Sequence, residues 1–287
     1  MKSLLYATDY SENSIPAFKL AWKLSQKLNI PLYVLHVFDI TATFISTVSI
    51  AYVRMEEASF KKHAELLREF CLEHLGVEPD KRKLIPIVAE GSIPANTILE
   101  KAESLDAGMI VAGKTGSTLV KDLLIGSTAT GLIEKSPLPV MLFPASFASG
   151  DVQTIVYATA FEQADIYAIR DIVHWASLFN ATIKVFHVST KEEYAGEDQM
   201  EWFKEMLFQK VQYTPITFEL RFSEDIFSSL ADYLNEEKAD LLAMLEREGQ
   251  QLLTGLWHRD LVKRMKGEMN IPLLSMPKSE VPSPGFT

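Results

Sequence analysis

At 287 residues and 47% hydrophobic content, the chain is long enough for two compact domains of about 140 residues each. Its net charge is −10, with residues 1–150 close to neutral and the excess acid in residues 151–287; this balance, and the lack of a basic or aromatic-interleaved stripe, argues against nucleic acid as a ligand. No stretch approaches the roughly 18 apolar residues of a membrane span, the apolar run before Asp9 is too short for a signal peptide, and the single Cys71 cannot form an internal disulfide, so a cytoplasmic protein is expected.

In chain order, short apolar runs predict strands near residues 3–8, 31–37, 82–89, 109–112 and 139–143. Between the first two, Ile15, Phe18, Trp22, Leu24 and Leu28 fall at helical spacing, as do Ala58, Leu66, Phe70 and Leu75 after the second. Cys71 sits within that second helix and reads as a buried helix residue rather than a nucleophile. Alternation of strand and helix predicts an α/β fold with an open parallel sheet and helices on both faces. The unbroken apolar run Met109-Ile110-Val111-Ala112 suits a strand covered on both sides.

The same pattern then recurs. Leu4-Leu5-Tyr6-Ala7-Thr8-Asp9 aligns with Ile155-Val156-Tyr157-Ala158-Thr159-Ala160, and the stretch from Asn29 to Val37 aligns with Asn180 to Val188 at the same offset of 151. Pro137 to Leu142 aligns with Asn270 to Ser275 at an offset of 133, so the second copy is shorter in its middle. A period this long implies duplication of a whole domain. The expected domains are residues 1–147 and 151–280 with a tail at 281–287, joined through a short linker between Ala145 and Gly150.

In such sheets ligands sit beyond the carboxyl ends of strands, where the strand order reverses. That points to Thr8-Asp9-Tyr10-Ser11 after the first strand and Gly113-Lys114-Thr115-Gly116 after the fourth, followed by Gly126-Ser127-Thr128. Glycines allow close approach of the backbone to an anion, and Ser127 is expected to N-cap a helix over Thr128–Glu134 whose amino end favours phosphate. Asp9 is placed to accept hydrogen bonds from a ribose or an adenine. Lys114 and Lys121 stand in the same stretch and read as solvated lysines that a phosphate could recruit. Taken singly, Gly113 could simply end a strand and Ser127 could be an ordinary cap; the joint spacing favours a phosphate cradle. His36 and His187 occupy equivalent positions among apolar residues and, with no partnering nucleophile or metal-ligand spacing, read as structural.

With these residues in view, the sequence resembles the universal stress protein family. Its ATP-binding members carry G-x2-G-x9-G-[ST] after the fourth strand, matched by Gly113, Gly116, Gly126 and Ser127, and an Asp after the first strand, matched by Asp9. The resemblance covers nearly the whole chain as two tandem copies. It implies Rossmann-like, adenine nucleotide α-hydrolase-like domains that bind ATP, with or without Mg, through Asp9, Val37 (by backbone groups toward adenine), Gly113, Lys114, Gly116, Gly126, Ser127 and Thr128. It also implies an intramolecular pseudo-dimer through Pro139–Phe143 and Pro272–Met276, with a homodimer as a further option.

The second copy departs from this set. Ala160 replaces Asp9, the glycine loop becomes Leu245-Glu246-Arg247-Glu248-Gly249, and Trp257-His258-Arg259-Asp260 stands near the position of Gly126-Ser127. His258, Arg259 and Arg247 would make either a different anion site or a salt-bridged surface. The letters from Gly108 to Thr115 fit G-x4-G-K-[ST], but Met109 to Ala112 reads as a buried strand and not as a phosphate loop, and no general base is evident, so an enzyme is not the leading expectation. Three readings stay open: a nucleotide-binding stress-response protein whose occupancy tunes conformation or partner binding, a slow ATPase or adenylate-forming enzyme, and a ligand-free interaction module.

Overall fold

The computed structural model describes residues 2–40, 50–80, 82–114, 126–147, 152–190, 196–246 and 271–278. They divide into two compact units, one drawn mostly from residues before 147 and the other mostly from those after it. Among the described residues no helix is long and apolar enough to cross a membrane.

The first unit runs β1 (Ser3–Ala7), α1 (Ile15–Leu28), β2 (Leu32–Phe38), α2 (Ile50–Leu75), β3 (Leu84–Glu90), α3 (Pro94–Ser104), β4 (Ala107–Gly113), α4 (Ser127–Lys135) and β5 (Val140–Phe143). All five strands fall where the apolar runs predict them. Their spatial order is β3-β2-β1-β4-β5. The pairs β2–β3, β1–β2 and β1–β4 are parallel, with Tyr6 beside Val34 on one side and Val111 on the other. Order therefore reverses between β1 and β4, the crevice position of a doubly wound sheet. Right-handed crossovers put α1 and α2 on one face and α3 and α4 on the other, and the pairs α1–α2 and α3–α4 are in contact. β1 and β4 are buried along nearly their whole length, as expected of strands covered on both sides.

Helix boundaries follow local chemistry. Pro94 opens α3 at its first position, where a missing N–H is not needed. α1 ends on Asn29 in the left-handed region, a conformation Asn tolerates. The buried stripe of α2 is Leu67, Phe70 and Cys71, while Leu66 is exposed; the helix forms as expected, but its inward face is turned one residue from the predicted one. Cys71 is buried there, and burial pushes its thiol up to about 12, far from the range of a reactive thiolate.

The second unit repeats the plan with β6 (Thr154–Ala158), α5 (Gln163–Phe179), β7 (Thr182–Ser189), α6 (Gly196–Lys210), β8 (Ile216–Phe222), α7 (Ile226–Glu236), β9 (Leu241–Leu245) and β10 (Leu273–Met276). Its strand order, β8-β7-β6-β9-β10, is that of the first unit copy for copy. Even the left-handed helix end recurs, at Asn180, the residue aligned with Asn29.

Candidate functional site

The turn after β1 is built by side chains holding backbone. Tyr10 has φ +64°, a region that a bulky residue enters only at a cost of about 1–2 kcal/mol. Three contacts hold it there: its N–H donates to the Thr8 hydroxyl (3.0 Å), its own hydroxyl donates to the His63 carbonyl (3.2 Å), and its ring stacks on His36 at 4.1 Å. Asp9, just before it, is exposed, and its carboxylate accepts the N–H (3.1 Å) and hydroxyl (2.5 Å) of Ser11. His36 is buried on β2 and donates from Nδ1 to the Thr8 carbonyl at 2.9 Å, which fixes its tautomer. His187 makes the same bond to Thr159 at 2.7 Å. Both histidines therefore act in the way a structural pair should, each pinning the end of its unit's first strand.

The other wall comes from the loop after β4. The Lys114 N–H donates to the Phe143 carbonyl at 2.7 Å, and the Gly126 N–H donates to the Lys114 carbonyl at 3.0 Å. The residues flanking 115–125 are thus tied to each other by one backbone bond. α4 then starts at Ser127, and its first internal bond runs from the Thr130 N–H to the Gly126 carbonyl. The amides of Ser127, Thr128 and Ala129 consequently have no acceptor within the helix.

These elements enclose one cleft of about 200 Å³ at the carboxyl ends of β1 and β4. Of the eight residues named from sequence, Asp9, Val37, Gly113, Lys114, Gly126, Ser127 and Thr128 all line it. Gly116 lies outside the described residues, as do Lys121, Arg247, His258 and Arg259. Its lining includes the apolar side chains of Leu35, Val37, Pro94 and Ile98 together with Gly113, Lys114 and the amino end of α4. Pro94 and Ile98 were not legible as site residues, because α3 reaches the cleft only through the crossover. Thr8 and Ser14 also line it; the only signal for them was their nearness to Asp9.

Two expectations need correction. Ser127 is not the N-cap of α4: Gly126 holds that position, with extended backbone (φ −61°, ψ 154°), and no side chain caps the helix. The helix begins one residue earlier than predicted, so Ser127 is its first residue, and it lines the cleft rather than closing the helix. Lys114 is not a solvated surface lysine either. It is only partly exposed, and burial holds its ammonium pKa below the usual lysine value.

A sequence profile of the universal stress protein family matches residues 1–144. The chain belongs to the universal stress protein family. A universal stress protein of Methanocaldococcus jannaschii is similar to it over 146 residues at 31% identity, which is 49% of this chain and 81% of that one. Among solved structures, a universal stress protein from Archaeoglobus fulgidus covers 97% of both chains with a TM-score of 0.68 at 17% identity. A protein of unknown function from Pseudomonas aeruginosa covers 97% of this chain and 93% of its own with a TM-score of 0.62 at 13% identity. At those identities the likeness speaks for fold, and it extends that fold over both halves of this universal stress protein.

The second unit differs at the matching positions. Ala160 stands at the position of Asp9. The Glu246 N–H donates to the Met276 carbonyl at 2.6 Å, just as the Lys114 N–H donates to Phe143. The strand register thus aligns Glu246 with Lys114 and reverses the charge at that point.

Proposed function

We propose that the first unit binds ATP or a related adenine nucleotide as part of a stress response, and that occupancy tunes the chain's conformation or its choice of partner. The observation that carries this reading is that one cleft at the carboxyl ends of β1 and β4 is lined both by apolar side chains and by the loop after β4 with the amino end of α4. Leu35, Val37, Pro94 and Ile98 offer a slot for a flat base. The amides at the start of α4, the Gly113 backbone and the Lys114 ammonium suit phosphate oxygens. Asp9 is exposed at the cleft and would accept from ribose hydroxyls.

Among the described residues no cluster of three or more His, Cys, Asp or Glu stands ready for a metal. We therefore assign any magnesium to the nucleotide, where it keeps waters and phosphate oxygens as ligands. Residues 1–147 and 151–280 are proposed as the two domains, with 281–287 as a tail.

Calorimetric titration of the purified chain with ATP and with adenosine tests the reading. Saturable binding of ATP, with adenosine weaker, supports it. Heat from neither ligand would favour an interaction module without a nucleotide, and steady release of phosphate would instead favour an ATPase.

A further inference from the structure

In each unit an aspartate accepts the backbone N–H groups of the turn after the first strand, and the two units keep it in different places. In the first unit Asp9 accepts the Ser11 N–H from an exposed position on the cleft wall. Beneath it Ser14 is 2% exposed, accepts the Thr8 hydroxyl at 3.1 Å and donates to the Ser11 carbonyl at 2.7 Å. In the second unit the aligned residues are Ala160 and Asp165, so the carboxylate has moved from the first position to the second. Asp165 is 0% exposed. Its Oδ2 accepts from the Thr159 hydroxyl (2.8 Å), the Ala160 N–H (3.1 Å) and the Glu162 N–H (3.0 Å), and its Oδ1 accepts from the Tyr157 hydroxyl (2.7 Å).

The frame around this exchange is otherwise shared. The Thr8 and Thr159 hydroxyls accept the N–H of Tyr10 (3.0 Å) and of Phe161 (2.8 Å), and both of those residues hold a positive φ, +64° and +57°. The N–H of Ser11 and that of its counterpart Glu162 both end on a carboxylate. In one unit that group also faces the cleft; in the other it is spent inside the turn.

We propose that Ser14 is a specificity-determining position: a hydroxyl there leaves the turn's carboxylate at Asp9, exposed at the cleft toward the hydroxyls of a ribonucleoside, whereas a carboxylate there, as at Asp165, closes the turn from within and leaves no carboxylate at the position of Asp9. The ligand half of this inference rests on the nucleotide reading above. The turn half stands on the hydrogen bonds alone.

The test compares the full-length wild type, Asp9→Ala and Asp9→Ala/Ser14→Asp by thermal melting and by ATP titration. The single variant should melt a few degrees lower and lose about tenfold or more in ATP affinity. The double variant should recover most of the melting temperature while its ATP affinity stays at the single variant's level. A double variant that binds ATP as wild type does, one that melts no higher than the single variant or fails to fold, or a single variant with unchanged melting would each overturn the proposal. A wild type that binds no ATP sinks the nucleotide reading and the ligand half together. The melting comparison still decides the turn half in that case.

Discussion

His36 and Ser127 show how single side chains tie the strand ends to the cleft. Burial is the main reason the His36 ring holds its proton less readily than the usual value of 6.5; the Thr8 carbonyl opposes this in part, His63 beside it adds to it, and Asp9 opposes it weakly. Because the folded pKa is depressed, the unfolded chain takes up the proton first as pH falls. The stability due to the neutral ring is therefore whole above about pH 6.5 and is lost as pH drops through the window below it, down to the folded value. Wild type should lose melting temperature as pH falls below about 6.5, and His36→Gln, which can still donate to Thr8, should flatten that slope; an unchanged slope would remove His36 as its source. Ser127 gives a separate reading. As the first residue of α4 and not its cap, it should tolerate Ser127→Ala with less than the roughly 1 kcal/mol loss of a missing cap, seen by urea unfolding, while ATP affinity falls.

At the level of elements, the cleft depends on how closely α3 and α4 approach. Both helices contribute to its lining, through Pro94 and Ile98 on one and Ser127 to Ala129 on the other. Gly131 permits this: a Cβ added there would lie 2.9 Å from the Cβ of Ala95, closer than two packed carbons can sit. Helix propensity alone would make Gly131→Ala stabilising by about 1 kcal/mol. Crowding against Ala95 should outweigh that gain, giving a net loss of about 1–3 kcal/mol in denaturant unfolding and weaker ATP binding as the helices part. Adding Ala95→Gly should restore much of both, since the two changes act at one contact. A stabilised Gly131→Ala with normal binding would show that the contact yields without effect on the cleft.

For the whole molecule, duplication without equivalence is the main feature. Both units share one strand order, yet Ala160 replaces Asp9 and Glu246 replaces Lys114 at the corresponding points. An acid where the first unit has a partly buried cation disfavours phosphate by like-charge repulsion. The expected stoichiometry is one ATP per chain; calorimetry giving a value near two would refute the asymmetry. Glu246→Lys alone should not create a second site, because Ala160 still lacks the acceptor for a ribose.

The strands, the two-fold repeat and the set Asp9, Gly113, Gly126 and Ser127 could be read from sequence, because apolar periodicity and glycine spacing are local and survive in a linear string. The repeat also let the second copy's losses be read before its shape was known. Other features depended on chain segments far apart in sequence. Lys114 is partly withdrawn from water because β4 delivers it to a cleft lined by α3 and α4. Pro94 and Ile98 become site residues only through the crossover that brings α3 over the sheet. Gly126 rather than Ser127 stands at the cap of α4, with its N–H held by the Lys114 carbonyl and its own carbonyl accepting the Thr130 N–H. The migration of a carboxylate from position 9 to the counterpart of position 14 was visible as letters in the alignment. Its meaning came from burial, which leaves Asp9 exposed at the cleft and commits Asp165 to the backbone and hydroxyls of its own turn.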